Sequence, residues 1–173
     1  MLSRNRYALK EWASVCDRLA RGEIALLVRK GGLLEVREGF RVEHREFFLF
    51  PTRFHEKGRA PDDRVELCLY ARVEEEREVR DLERLGRLDG QHAVPREDLE
   101  RRFRYGREEG VHVLALRAWR LARPHVLDGA RAFDGCVSWV DLGRELPVEP
   151  SAPALDDDGF RKKLEALRAA LGG

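Results

Sequence analysis

The sequence predicts a single α+β domain: a curled, mainly antiparallel sheet with flanking helices and a tethered C-terminal helix. Strand-like segments follow one another without regular alternation with helices, which argues against a parallel doubly wound sheet. The 173 residues suit one domain, and an apolar content of 43% provides a core even though 38% of the residues are charged. We place the domain at residues 1–146 and a proline-rich linker with the C-terminal helix at residues 147–173.

The first third of the chain is predicted to form one helix and three strands. Ser3 and Asn5 can cap the helix, and Gly22 can end it. Its apolar positions recur at helical spacing: Leu9, Trp12, Cys16 and Leu19. The predicted strands are Ile24–Val28, residues 33–38 after a double-glycine turn, and residues 46–50, which stop at Pro51.

The middle of the chain is predicted to mix strands and helices. Residues 65–73 alternate apolar and polar side chains with a period of two, as a strand does. Apolar positions in the charged run 74–88 instead fit a helix, and Pro95 suits the first position of another helix. Two further strands are predicted at residues 111–121, closed by Pro124, and at residues 136–142.

The last 27 residues are predicted to form the linker and one amphipathic helix. Pro147, Pro150 and Pro153 favour an extended linker, and the aspartates at 156–158 can cap the helix. The helix carries an apolar stripe: Phe160, Leu164, Leu167 and Leu171. Because exposing such a stripe to water is unfavourable, we expect the helix to dock on its own domain or on a second copy of the chain, as a homodimer.

Composition and charge exclude several classes of protein. The three cysteines contain no Cys-x-x-Cys pair, so neither a zinc knuckle nor a redox dithiol is predicted. Charged residues interrupt any signal peptide and no apolar run could cross a membrane, so we expect a cytosolic protein. A net charge of +1 does not suit a duplex-DNA binder, but residues 1–59 carry 13 basic against 8 acidic side chains, a net of +5 that suits an anion-binding face.

The end of the first predicted strand carries the first candidate ligand-binding residues, Arg29 and Lys30. Both precede a pair of glycines, which let backbone N–H groups approach an anion, while an arginine can bind a phosphate or carboxylate with two hydrogen bonds. The spacing is not that of a Walker loop. The same pattern also occurs at an ordinary hairpin turn with exposed cations.

The third predicted strand is flanked by further polar candidates. Glu43 and His44 precede it, and Thr52 and His55 follow Pro51, which fixes the direction in which the chain leaves the strand. Three roles are open for this cluster: structural hydrogen bonds, contacts to a small ligand or nucleotide, and metal ligation by neutral imidazoles. The spacing of the histidines matches no standard metal site, so no metal or other cofactor is predicted. His92 and Arg117 are possible additions to the site.

Six blocks of sequence, in order, resemble the bacterial DUF1802 family, a domain of unknown function. They are ALKEWA (8–13), LLVRKGG (26–32), FRVEHREFFLFPTRFHE (40–56), QHAV (91–94), VHVLALRAWRL (111–121) and CVSWVDL (136–142). The resemblance implies no established activity, although fusion of members to restriction-endonuclease-like domains would point toward nucleic acid. This chain departs from the family pattern at Glu56 and Ala93, which weakens the case for a strictly shared site.

The predicted architecture also resembles the PUA and ASCH group of pseudobarrels, which implies binding of RNA or of modified bases. We therefore expect a non-catalytic module that binds a nucleotide or single-stranded nucleic acid. Arg29 and Lys30 would contact phosphate, and Glu43, His44 and His55 would contact a base or sugar. The alternatives are a metal-assisted hydrolase or nuclease-associated protein, with the histidines as ligands and Glu43 as general base, and an interaction protein that acts through its last helix.

Overall fold

A computed structural model describes residues 1–30, 40–53, 63–106, 108–133, 135 and 137–172. Seven strands are formed by these residues: β1 (Arg4–Trp12), β2 (Leu26–Arg29), β3 (Glu46–Thr52), β4 (Arg64–Val79), β5 (Val111–Asp128), β6 (Trp139–Pro147) and β7 (Pro150–Pro153). The α-helices are α1 (Ala13–Ala20), α2 (Leu82–Gly86), α3 (Arg96–Arg104) and α4 (Asp157–Leu171), with one 3₁₀ turn at Ala130–Phe133.

The strands form one mixed sheet in the order β2-β5-β4-β3-β1-β6, and β7 also pairs with β5. Only the β1–β3 pair is parallel among the described strands; the other pairs are antiparallel. The sheet curls until its two edges approach each other. The contact between the edges is made by Arg29 at the end of β2, which donates hydrogen bonds to Glu11 on β1 and to Ser138 just before β6. This arrangement confirms the predicted α+β class with a curled, mainly antiparallel sheet.

Three apolar clusters hold the strands and helices together. The first lies inside the curl, since it joins Leu9 on β1 to Leu27 on β2, and α1 covers it with Val15 and Leu19. The second packs β2 and β5 against α2, α3 and α4. The third lies on the other face of β1, β3 and β6. Both faces of much of the sheet are therefore buried, which explains its near-continuous apolar stretches.

The first predicted helix is largely a strand. Only Ala13–Ala20 is helical, whereas Arg4–Trp12 pairs with β3 on one side and β6 on the other. Asn5 does not cap a helix: its buried amide donates to the Tyr70 hydroxyl (3.0 Å) and to the Glu46 carbonyl (2.7 Å). Pairing with two neighbours outweighed the helical spacing of the apolar residues, because it satisfies the backbone of a strand buried on both faces.

Pro51 does not end β3, which continues to Thr52. Pairing between β3 and β4 covers only Glu46–Phe48, so at Pro51 the strand is paired with β1 alone. A proline is tolerated where one edge of a strand is unpaired, because its missing N–H group is not needed there. The same divergence of β3 from β4 opens a cleft described below.

The charged run 74–88 was predicted as a helix, which is wrong for its first part. Strand β4 continues to Val79 along β5, and only Leu82–Gly86 is helical. Ion pairs between residues two apart, such as Arg72–Glu74 and Arg77–Glu75, stabilise this stretch as a strand because side chains two apart share one face.

Three other predicted boundaries differ from the structure. Strand β5 runs past Pro124 to Asp128, and the proline lies in an irregular stretch where the pairing with β4 shifts register. The linker contains a strand, since Pro150–Pro153 pairs with β5. The strand expected at 136–142 is observed at Trp139–Pro147. The return strand expected at 33–38 lies outside the described residues.

The last helix packs on its own chain. Asp156 caps it by accepting a hydrogen bond from the Gly159 N–H group (2.7 Å). Leu167 and Leu171 are buried against the second apolar cluster, and Arg84 on α2 donates to the Leu171 carbonyl (3.1 Å). Among the helices formed by the described residues, none has the length and apolar character needed to cross a lipid bilayer.

Candidate nucleic-acid-binding site

Arg29 lies at the line where the two edges of the curled sheet meet. Its guanidinium donates to the Lys10 carbonyl (3.0 Å), the Glu11 carboxylate (3.0 Å) and the Ser138 hydroxyl (2.9 Å). Glu11 is only 3% exposed and the Arg29 side chain only 13% exposed, so this is a buried ion pair. Much of the hydrogen-bonding capacity of Arg29 is thus used within the protein.

His44 belongs to an aromatic cluster beside this ion pair. Its ring stacks on Tyr7 with centroids 3.6 Å apart and meets the ring of Trp139 edge-on at 5.3 Å. Phe40 lies between Trp139 (6.3 Å) and the guanidinium of Arg29 (5.4 Å). The structure therefore brings Arg29 and His44 to one neighbourhood.

The neighbouring Glu43 is exposed, and His55 lies outside the described residues. Thr52 donates to the Glu11 carbonyl (3.2 Å), which connects it through the backbone of β1 to the ion pair.

Lys30 points away from this cluster. Its ammonium group donates to three backbone carbonyls of the segment that joins α3 to β5: Phe103 (3.4 Å), Glu108 (2.5 Å) and Gly110 (2.6 Å). Burial lowers the pKa of Lys30 below its ordinary value, with the charge of Arg80 acting in the same direction. The contacts of Lys30 fix a loop.

His92 and Arg117 are also separated from the cluster. His92 is 4% exposed, and its Nδ1 accepts a hydrogen bond from the Val94 N–H group (3.2 Å). Burial lowers the pKa of His92, which favours the neutral ring. Arg117 pairs with Asp157 (2.7 Å) and lies over the Phe160 ring, so it contacts the start of α4.

The described residues offer no metal centre: no group of three or more histidine, cysteine, aspartate or glutamate side chains among them could hold an ion. His112 faces Glu76 (3.0 Å) and His125 faces the Pro147 carbonyl (2.8 Å). No observation on this part of the chain favours the metal-assisted alternative.

A second arginine, which was not among the predicted site residues, lies near the buried ion pair. Arg102 on α3 donates to the Val28 carbonyl (2.9 Å), and its guanidinium lies 4.5 Å from the centroid of the Trp12 ring. Burial lowers the pKa of Arg102, an effect that the negative charge of Glu11 opposes. Arg29 on β2 thus binds the buried Glu11 carboxylate directly, and Arg102 on α3 is close enough to feel its charge.

A cleft of about 460 Å³ lies where β3 and β4 diverge, and we call it the β3–β4 cleft. Its floor is apolar: Ala13, Leu49, Phe50, Pro51, Val65, Leu69 and Ala130. Its polar lining comprises Lys10, Arg53 and Arg64, with the carboxylates of Asp17 and Glu66, and Cys16, Thr52 and Cys68 between them. Of the predicted site residues that the structure describes, only Thr52 lines this cleft.

The cleft and the buried ion pair share strand β1. Lys10 lines the cleft, whereas Glu11, the next residue, turns to the opposite face and binds Arg29, as alternation along a strand requires. The Lys10 ammonium donates to the carbonyls of Phe133 and Gly135. Sequence patterns could not reveal the cleft, because its walls come from α1, β1, β3 and β4 and meet only in the folded chain.

Comparisons with known proteins identify the fold and the family. A family model described as "Domain of unknown function (DUF1802)" matches residues 8–166. The crystal structure of ASCH from Zymomonas mobilis is similar over 93% of this chain and 94% of that chain, with a TM-score of 0.50 and 13% sequence identity. A mutant of the same protein is similar over 96% of this chain and 99% of that chain, with a TM-score of 0.49 and 16% sequence identity. No curated protein matches the sequence. At this identity the first likeness shows a shared fold.

Proposed function

This chain belongs to the DUF1802 family, and we propose that it is a non-catalytic module that binds a nucleotide or a single-stranded nucleic acid in the β3–β4 cleft. The observation that carries the proposal is the combination of an apolar floor with three basic side chains at one cleft: Lys10, Arg53 and Arg64.

The dimensions and chemistry of the cleft suit one nucleotide. Ligand pockets usually enclose about 300–1,000 Å³, so a cleft of about 460 Å³ is in this range. An apolar floor that includes Phe50 favours a planar base over water, and arginine side chains such as Arg53 and Arg64 can form charge-assisted hydrogen bonds with phosphate. The cleft is partly open to solvent, as a ligand that belongs to a longer strand requires.

The fold supports the same class of ligand without deciding it. The sequence pattern implied a PUA- or ASCH-like pseudobarrel that binds RNA or modified bases, and the shared fold agrees with the architectural part of that inference. Because one fold can carry many functions, the proposal rests on the cleft itself.

The buried ion pair has a positioning role in this proposal. Arg29 holds Glu11, and the Glu11 carbonyl accepts the hydrogen bond from Thr52 in the cleft. Arg29 also donates to the Lys10 carbonyl, and so it holds the end of β1 that supplies one wall. Arg29, one of the sequence candidates, would thus support the site without contacting phosphate.

Binding to fluorescently labelled single-stranded RNA and DNA decamers of mixed sequence, followed by anisotropy, tests the proposal. The double variant Arg53→Ala/Arg64→Ala should bind about 10–100-fold more weakly, because losing a charge-assisted hydrogen bond costs about 1.5–3 kcal/mol. Parent binding should weaken steeply with added salt, and the variant should show a shallower salt dependence.

A matched control has the same change of charge far from the cleft. Arg87, the residue after α2, and Arg161 on α4 are exposed and form ion pairs with nearby residues, Glu83 and Asp158. Arg87→Ala/Arg161→Ala should retain most of the affinity. The proposal is wrong if the parent fails to bind either decamer at low salt, or if both double variants lose affinity equally.

A further inference from the structure

We propose that Asp17 and Glu66 make the β3–β4 cleft selective for a base whose pairing edge donates two adjacent N–H groups, which among the common bases is guanine. This inference rests on the proposed function and names the ligand class of the same site. The carboxylates come from different elements, Asp17 from α1 and Glu66 from β4, and both line the cleft.

The two carboxylates line one cleft from two elements. Glu66 lies on β4 two residues before Cys68, which shares its face of the strand and also lines the cleft, and Asp17 lies on α1. Burial raises the pKa of the Cys68 thiol, and the negative charges of Glu66 and then Asp17 act in the same direction. The ion pairs found among the described residues include neither Asp17 nor Glu66, so their oxygens are available to accept hydrogen bonds from a ligand.

This charge pattern is unexpected for a site that binds phosphate alone. A carboxylate repels phosphate, and the cleft contains two carboxylates beside Lys10, Arg53 and Arg64. A nucleotide satisfies both sets of charges when its phosphate lies toward the basic side chains and a donor edge of its base faces the carboxylates.

The donor pattern of the bases decides which nucleotide fits. Guanine presents the adjacent N1–H and N2–H groups, and one carboxylate can accept both in a bidentate pair. Adenine and cytosine offer only an amino group on this edge, and uracil offers one N–H group between two carbonyl oxygens, which a carboxylate repels. A good bidentate pair gives roughly 5–150-fold discrimination between bases.

The test compares two labelled RNA decamers, one of uridine throughout and one with guanosine at the two central positions. The parent should bind the guanosine decamer at least about 10-fold more tightly. The variants Glu66→Gln and Asp17→Asn keep the shape of each side chain but remove its charge. At least one of them should lose most of the preference for the guanosine decamer. Its affinity for the uridine decamer should stay equal to that of the parent or rise. Glu83→Gln, an exposed position on α2 away from the cleft, should behave as the parent.

The possible outcomes separate the two proposals. If the parent binds both decamers equally, or if the two cleft variants bind both decamers more tightly with an unchanged preference, the carboxylates act only by repelling phosphate and the inference is wrong, while the proposed function stands. If the parent binds neither decamer at low salt, the proposed function is wrong as well. Thermal unfolding of each variant verifies that it is folded, which we expect because both carboxylates are exposed.

Discussion

At the scale of single residues, the ion pair between Glu11 and Arg29 is the most informative contact. Burying two charges is unfavourable unless each finds partners, and Arg29 finds them on β1 and at Ser138. These partners are 18 and 109 residues away in sequence from Arg29. The pair therefore forms only when the two edges of the sheet meet.

Removing one member of this pair should be costly. Arg29→Met leaves the Glu11 carboxylate buried without its partner, and breaking a buried ion pair typically costs about 3–5 kcal/mol. Urea unfolding should show a corresponding fall in the free energy of unfolding. Arg6→Met removes an exposed ion pair with Asp141 and should change the midpoint little. Equal urea midpoints for Arg29→Met and the parent would contradict a structural role for the pair.

Sequence patterns identified only some of the residues in this neighbourhood. Arg29 and His44 stood out because polar residues flank apolar strands, and both lie near the ion pair. Glu11 was hidden because its segment was assigned to a helix, and Trp139 because nothing local links it to His44. Asp17 and Glu66 were not candidates, since an exposed acidic residue on a helix or strand is ordinary.

At the scale of elements, β1 and β4 show why local patterns misled. Helical spacing of apolar residues in β1 coexists with burial on both faces, and pairing with β3 and β6 decided the outcome. In β4, the opposite charges two residues apart were the usable signal: Arg72–Glu74 and Arg77–Glu75 share a face only in a strand. The capping and apolar stripe of α4, which are local features, were predicted correctly.

The attachment of α4 to β4 should depend on pH. Burial alone would raise the pKa of Glu75, but hydrogen bonds from Arg77 and Arg168 outweigh it, and the pKa lies below its ordinary value. A carboxylate with a lowered pKa in the folded state stabilises the fold above its unfolded pKa of about 4.3, and this contribution is lost as the pH falls through the folded value.

Glu75→Gln should therefore reduce stability at pH 7 and weaken the loss of stability that sets in as the pH falls below about 4.3. Urea unfolding at several pH values measures both effects. Arg168 is half exposed, so we expect a contribution of less than about 1 kcal/mol from its pair with Glu75. Glu83→Gln serves as the control, because the Glu83 side chain is exposed and pairs with Arg87. A pH profile of Glu75→Gln that parallels the parent at every pH would contradict this attachment.

At the scale of the whole molecule, the class of fold was predictable although several boundaries were not. The class depends on the order and type of segments, and the strands after the first segment were mostly recognised. The curl of the sheet and the β3–β4 cleft depend on the register in which the strands pair and on which edges of the sheet meet. Both are decided by contacts between residues that are far apart in sequence. This is why the predicted site residues divided among separate neighbourhoods, whereas the cleft was found only in the structure.

The most direct test of the central claim is to locate the bound ligand. A titration of ¹⁵N-labelled protein with the single-stranded RNA decamer, followed by amide chemical shifts, reports which residues the ligand contacts. We predict that the largest shifts occur at the amides that line the cleft: Cys16, Asp17, Thr52, Arg53, Glu66 and Cys68. Shifts confined to the aromatic cluster around Tyr7, His44 and Trp139, or to α4, would contradict the claim that the β3–β4 cleft is the binding site.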